Sequence, residues 1–141
     1  MGSKFSVARM RKELAAQTMT SVTVSSDSVF RSGLILSDVG TVAADGNSAL
    51  NPVVLTNHVN MVTAADGTKG VQLPSATNGE IYVVANTVAN QTLKLYPSTG
   101  SYFNGLGQNI AVSLTGSQGA LCVYASSSIG DKWAVVWGGA S

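Results

Sequence analysis

Cysteine, histidine and charge are all scarce in this chain of 141 residues, and each shortage closes a class of chemistry. Cys122 is the only cysteine, so no intrachain disulfide can form. It sits in the apolar run Ala120–Tyr124, where the expected role is that of a small buried hydrophobe. His58 is the only histidine, in Thr56-Asn57-His58-Val59, and a turn or strand position is expected for it. One Cys and one His cannot build a zinc site from these ligand types. A nucleophilic thiol would have to meet His58, its sole candidate base. Six of the seven acidic residues fall in different predicted loops or strand starts, so no segment favours the paired carboxylates of a glycosidase. Gly105-Leu106-Gly107 has Ile110 where a dinucleotide fingerprint needs its third glycine. The expectation is a non-enzymatic protein without a cofactor or metal.

No apolar run approaches the ~20 residues that span a bilayer, and the basic start is not followed by the apolar stretch of a secretory leader. Neither a membrane partner nor export is expected, and synthesis in a cytoplasm follows. Charged residues make up only 11%, against roughly 25% in ordinary soluble domains. Ser, Thr, Asn and Gly supply the polarity instead. Such a neutral, hydroxyl-rich surface suits packing against copies of itself or against a larger assembly, where buried charge is costly.

The charge that is present is unevenly placed. Lys4, Arg9, Arg11 and Lys12 against Glu13 leave +3 in the first 13 residues. Arg31, Lys69, Lys94 and Lys132 against Asp27, Asp38, Asp45, Asp66, Glu80 and Asp131 leave −2 in the rest. A basic end on a mildly acidic body steers binding toward an acidic surface. Four local cations fall short of the broad basic face of a nucleic-acid binder, so nucleic acid is not an expected partner.

Val7, Met10 and Leu14 lie at i, i+3 and i+7 among those cations, which fits one side of a short helix. A helix of about 12 residues is marginal alone and needs a surface. Its own β domain and a neighbouring subunit are both open as that surface. From Ser21 the pattern becomes that of short strands. Ser21-Val22-Thr23-Val24-Ser25 alternates, and Val29–Leu36 is a second candidate. Asp38–Ser48 is rich in turn formers. Thr41-Val42-Ala43-Ala44-Asp45-Gly46 is echoed 21 residues later by Val62-Thr63-Ala64-Ala65-Asp66-Gly67. Two copies fall short of a solenoid; two similar hairpin turns, with Asp-Gly at the tight positions, explain them. Neither copy carries the successive oxygen ligands of a calcium loop.

Beyond Asn51-Pro52 the expected strands are Val53–Thr56, Val59–Thr63 and Gly70–Leu73, the last ended by Pro74. Gly79–Asn86 and Gln91–Tyr96 follow as a pair joined by a turn at Thr87–Asn90. Pro97–Gly107 reads as a long polar loop that holds Tyr102 and Phe103. Then come Asn109–Leu114, Ala120–Ala125 and Lys132–Trp137. Tyr96, Tyr102 and Phe103 are candidate aromatics for stacking on a glycan or for an interface. Both faces of Ile81–Ala85 and of Trp133–Trp137 are apolar, so a partner or the N-terminal segment is expected on the second face.

Turn signals every 8–12 residues predict an all-β fold. The expected form is an antiparallel β-sandwich, jelly-roll-like, or a short barrel, with an N-terminal helical or extended arm. The expected organisation is a basic arm over residues 1–20, a small β segment or linker over 21–50, and the β domain over 51–141.

Five pieces of the chain, in order, carry a resemblance: Lys69-Gly70-Val71-Gln72-Leu73-Pro74, Gly79–Asn86, Leu93-Lys94-Leu95-Tyr96-Pro97, Phe103-Asn104-Gly105 and Asp131-Lys132-Trp133. Together they resemble a small β domain of tailed-bacteriophage virion proteins, over about residues 53–137. The resemblance implies a non-enzymatic virion component, often a trimer, serving as a head decoration (cement) protein, a head fibre or a tail-fibre module. The shortness of the chain and its basic end favour the decoration protein. On that expectation the chain sits on the capsid surface, binds copies of itself and the major capsid protein, and uses Lys4, Arg9, Arg11 and Lys12 for docking. A module of a tail or head fibre that binds a host receptor or glycan is the alternative.

Overall fold

The structure is a computed structural model that describes residues 38–46, 51–127 and 130–139. The chain divides into two units, Met1–Leu34 and Ile35–Ser141, and everything described belongs to the second. The expected arm over 1–20 and the candidate strands over 21–36 lie outside the described residues.

Ten strands and no helix are present among the described residues: β1 (Val39–Ala43), β2 (Val53–Val54), β3 (Val59–Ala64), β4 (Gly70–Gln72), β5 (Ile81–Asn86), β6 (Leu93–Tyr96), β7 (Tyr102–Phe103), β8 (Val112–Leu114), β9 (Gly119–Ser127) and β10 (Gly130–Gly138). The all-β expectation holds. The strands form a six-stranded sheet, β1-β3-β5-β9-β10-β7, and a four-stranded sheet, β2-β4-β6-β8.

Both sheets are mixed, which corrects the antiparallel expectation. From β1 to β6 the chain alternates between sheets, and each strand lies parallel to the one two places earlier. Three successive coils therefore stack on one another. The Gly79–Asn86 and Gln91–Tyr96 segments are not a hairpin, because β5 and β6 belong to different sheets. The echoed Asp-Gly segments are not hairpin turns either; they are equivalent corners of the first two coils. Thr41 pairs with Met61, an offset of 20, and after a bulge Ala43 pairs with Ala64, the offset of 21 at which the echo occurs. Such a pattern is invisible to a hairpin argument, since a hairpin and a coil corner both need a residue with φ > 0. Gly46 and Gly67 supply it, at +69° and +88°. Asp45 Oδ1 accepts from Gly46 N at 2.8 Å. Asp66 Oδ1 accepts from Thr68 N, Thr68 Oγ1 and Lys69 N. These bonds hold the Asp66 carboxyl below its ordinary range, the Thr68 hydroxyl first.

After β6 the coils stop. β8 closes the four-stranded sheet antiparallel to β6, β9 lies antiparallel to β5, and β10 returns along β9. β1 and β7 stood within an expected turn and an expected loop; both are too short or too rich in Gly and Asn nearby for a period-2 pattern to emerge. β1 lies in the segment read as linker and is the first strand of the six-stranded sheet.

One core fills the space between the sheets. Val62, Tyr82, Val84, Ala120, Cys122, Tyr124, Trp133 and Val135 enter from the larger sheet, and Val71, Leu93, Leu95, Val112 and Leu114 from the smaller. Trp133 is fully buried and meets Tyr124 and Tyr82 edge-on, at centroid distances of 5.0 and 5.7 Å. Its indole N–H donates to Ser98 Oγ at 3.0 Å, and Ser98 Oγ bonds Ser101 Oγ at 2.7 Å. The residues quoted for the family resemblance have local jobs here. Leu73 is core, Asn86 ties strand ends together, and Asn104 Oδ1 accepts from Val135 N at 2.8 Å.

Candidate interaction surface

The outer face of the six-stranded sheet is set by register. Val39 pairs with Val59, Val59 with Val83, Val83 with Leu121, and Leu121 with Val136. Since side chains directly opposite each other share a face, these five form a continuous aliphatic row across β1, β3, β5, β9 and β10. Thr41, Met61 and Ala85 make a parallel row on one side, and Ile81, Val123 and Ala134 make one on the other. The inward neighbours Val62, Val84, Cys122 and Val135 are buried, while Val39 is 56%, Leu121 46%, Ile81 45% and Val136 75% exposed. None of the residues in these three rows carries a charge. Lys132, beside Ala125, marks the border.

Next to that border a cleft of about 500 Å³ is lined by Tyr102, Phe103, Asn104, Gly105, Leu106 and Lys132. Tyr102 and Lys132 are paired across β7 and β10, and Leu106 is exposed. The three aromatics singled out from sequence therefore part company. Tyr102 faces the cleft. Phe103 is 1% exposed and packs in the core. Tyr96 is half-buried on the four-stranded sheet, its ring so close to Gly70 that an added Cβ there would meet Tyr96 Cε2 at 2.6 Å. Lys4, Arg9, Arg11 and Lys12 lie outside the described residues.

His58 and Cys122 do not form a pair. The His58 Nδ1 bonds Asp38 Oδ2 at 3.0 Å, and its ring stacks on Tyr82 at 4.8 Å. Asn57 Nδ2 and His58 N also donate to the Asp38 carboxylate, which these bonds, Asn57 foremost, hold below its ordinary range. The cluster fastens the start of β1 to the corner between β2 and β3, so it works as a clasp between coils. Cys122 is closed off in the core, where burial pushes its thiol up to about 12. Among the described residues no group of three His, Cys, Asp or Glu could hold a metal ion.

The sign of the Cys122 shift gives a measurable result. The fold favours the neutral thiol, so its contribution is complete below the ordinary value of 9.0 and is lost as pH rises toward about 12. At pH 8 an aromatic disulfide reagent is expected to leave the folded chain unmodified and to titrate one thiol after denaturation. Prompt reaction of the native protein would contradict the burial.

No sequence signal pointed to Met61, Leu121 or Val39 as members of one surface. Alternation shows that a strand has a second face, but only register shows whose side chains share it. The chain matches no protein-family model, no curated protein and no solved structure.

Proposed function

We propose that the chain is a structural component of a tailed-bacteriophage virion, a decoration (cement) protein that binds the major capsid protein lattice and stabilises the head. In this reading it is non-enzymatic, assembles with itself, and sits on the capsid surface with a sandwich-type body. The observation that carries it is the uncharged aliphatic outer face of the six-stranded sheet, a surface built for contact. The low overall charge and the order of the phage-type segments in the sequence support it. The basic start, with Lys4, Arg9, Arg11 and Lys12, would select an acidic patch on the capsid and speed the encounter.

The test compares the full chain with a variant carrying Lys4→Gln, Arg9→Gln, Arg11→Gln and Lys12→Gln, each mixed with capsids stripped of it. The unaltered chain is expected to cosediment in hundreds of copies per shell. The variant should bind far more weakly, by about a tenfold or greater loss if the four pairs supply even 1.4 kcal/mol in total. Equal occupancy by both would sink the docking role. The cleft beside Tyr102 and Lys132 favours a second reading, a fibre module that takes a host receptor or glycan. Copy number separates the two, since a dozen or fewer copies per particle belongs to a tail or fibre position.

A further inference from the structure

We propose that copies of this chain meet each other through the outer face of the six-stranded sheet, along the row Val39, Val59, Val83, Leu121 and Val136. The inference deepens the self-association in the proposed function by assigning it a surface, and since a face that meets its own copy closes as a pair, the contact is two-fold; it rests on that part of the reading alone.

Three physical points favour a second copy as the occupant. The first is area. A central row of five and two flanking rows of three, with strands about 4.8 Å apart and rows about 6.8 Å apart, give a footprint of roughly 360 Å². Two such faces together bury about 700 Å² in the rows alone, and the polar rim that surrounds any interface core brings the contact toward the roughly 1,000 Å² of a specific interface. A patch of this extent lies among the largest that monomers leave in water, and such patches are commonly functional. The second is charge. The row and its flanking rows are uncharged, and Lys132 stands only at the border. An ion brought against the middle of this face would lose its water and gain no partner. The occupant must therefore be as uncharged as the face itself, and a copy of the face meets that condition by construction. The third is shape. Two sheets of the same twist stack about 10 Å apart with strands some 30° askew, so ridges of Val and Leu interdigitate. Parallel pairing adds to the argument, because β1, β3 and β5 are parallel neighbours and parallel sheets are normally covered on both faces.

The experiment uses the purified full-length chain without capsids. Light scattering after size exclusion should give the unaltered protein a mass of about twice the 14.4 kDa protomer. Val136→Glu should weaken association by roughly 100-fold or more, the effect of an unpaired charge in the contact, and leave far-UV circular dichroism unchanged because Val136 is exposed. Leu121→Lys should act alike from the centre of the row. Val54→Glu, at a half-exposed position on the smaller sheet, should leave the assembly intact. Mixing the Val136→Glu and Val136→Lys variants should restore part of the association. A monomeric unaltered chain would overturn the inference, whether residues 1–37 or an unlike partner covers the face. So would a Val136→Glu protein that assembles normally. An intact oligomer that ignores capsids would instead overturn the decoration reading and leave this one standing.

Discussion

Trp133→Ala is expected to cost about 3–5 kcal/mol, the range for removing a large aromatic from a packed core. That is a large share of the stability of many domains, about 5–15 kcal/mol, so the unfolding midpoint should fall sharply. The loss has two physical parts. The indole fills the meeting point of β7, β9 and β10, where it touches Tyr82 and Tyr124 edge-on. Its N–H also satisfies Ser98, which is itself buried and bonded to Ser101. Alanine leaves a cavity and a disturbed hydroxyl pair together. Trp133→Phe separates the parts, since it keeps most of the ring and drops the N–H; a loss of about 1–2 kcal/mol is expected from the unmade bond and the smaller ring. Urea unfolding followed by circular dichroism measures both. An alanine variant within about 1 kcal/mol of the unaltered protein would show that Trp133 does not hold the core.

Asn86→Ala is the second large effect, about 2–4 kcal/mol. Asn86 ends β5 and is 1% exposed. Its Nδ2 donates to Gln91 O at 2.8 Å and to Leu114 O at 2.9 Å, and its Oδ1 accepts from Val88 N at 3.1 Å. Those bonds shape the turn that carries the chain from the six-stranded to the four-stranded sheet, and they fix that turn to β8. Alanine strands several backbone groups with little access to water, each costing about 1–3 kcal/mol when unsatisfied. The same urea titration applies, and protection of the Val88 amide from hydrogen exchange should fall with it. An unchanged midpoint would mean that water or a neighbour replaces the amide at no cost.

The two residues illustrate what was legible beforehand. Both belong to the segments that carried the resemblance, yet their roles come from partners distant in sequence. Ser98 is 35 residues from Trp133, and Leu114 is 28 from Asn86. A pattern of residue types can mark such positions without saying what they touch. The aromatic loop shows the opposite failure. Tyr102 and Phe103 looked alike as exposed candidates, but β7 pairs with β10, and pairing sends consecutive side chains to opposite faces. Both border the cleft, but Tyr102 stays half-buried while Phe103 is sunk in the core.

The sequence by itself determined the class of local structure: short β-branched strands, turns with Asp-Gly and Asn-Gly, and a cysteine set in an apolar run. These follow from side-chain shape and backbone freedom, which act within a few residues. Only the tertiary structure decided that the first six strands coil between two sheets in parallel, that Asp45 and Asp66 mark successive corners, and that one side of the larger sheet is an unbroken aliphatic row. Parallel pairing joins strands about 20 residues apart, and its register is set by the packing of the core side chains on the opposite face. For that reason Val136 reads in the sequence as one more apolar residue, and in the fold as the most exposed point of the aliphatic row.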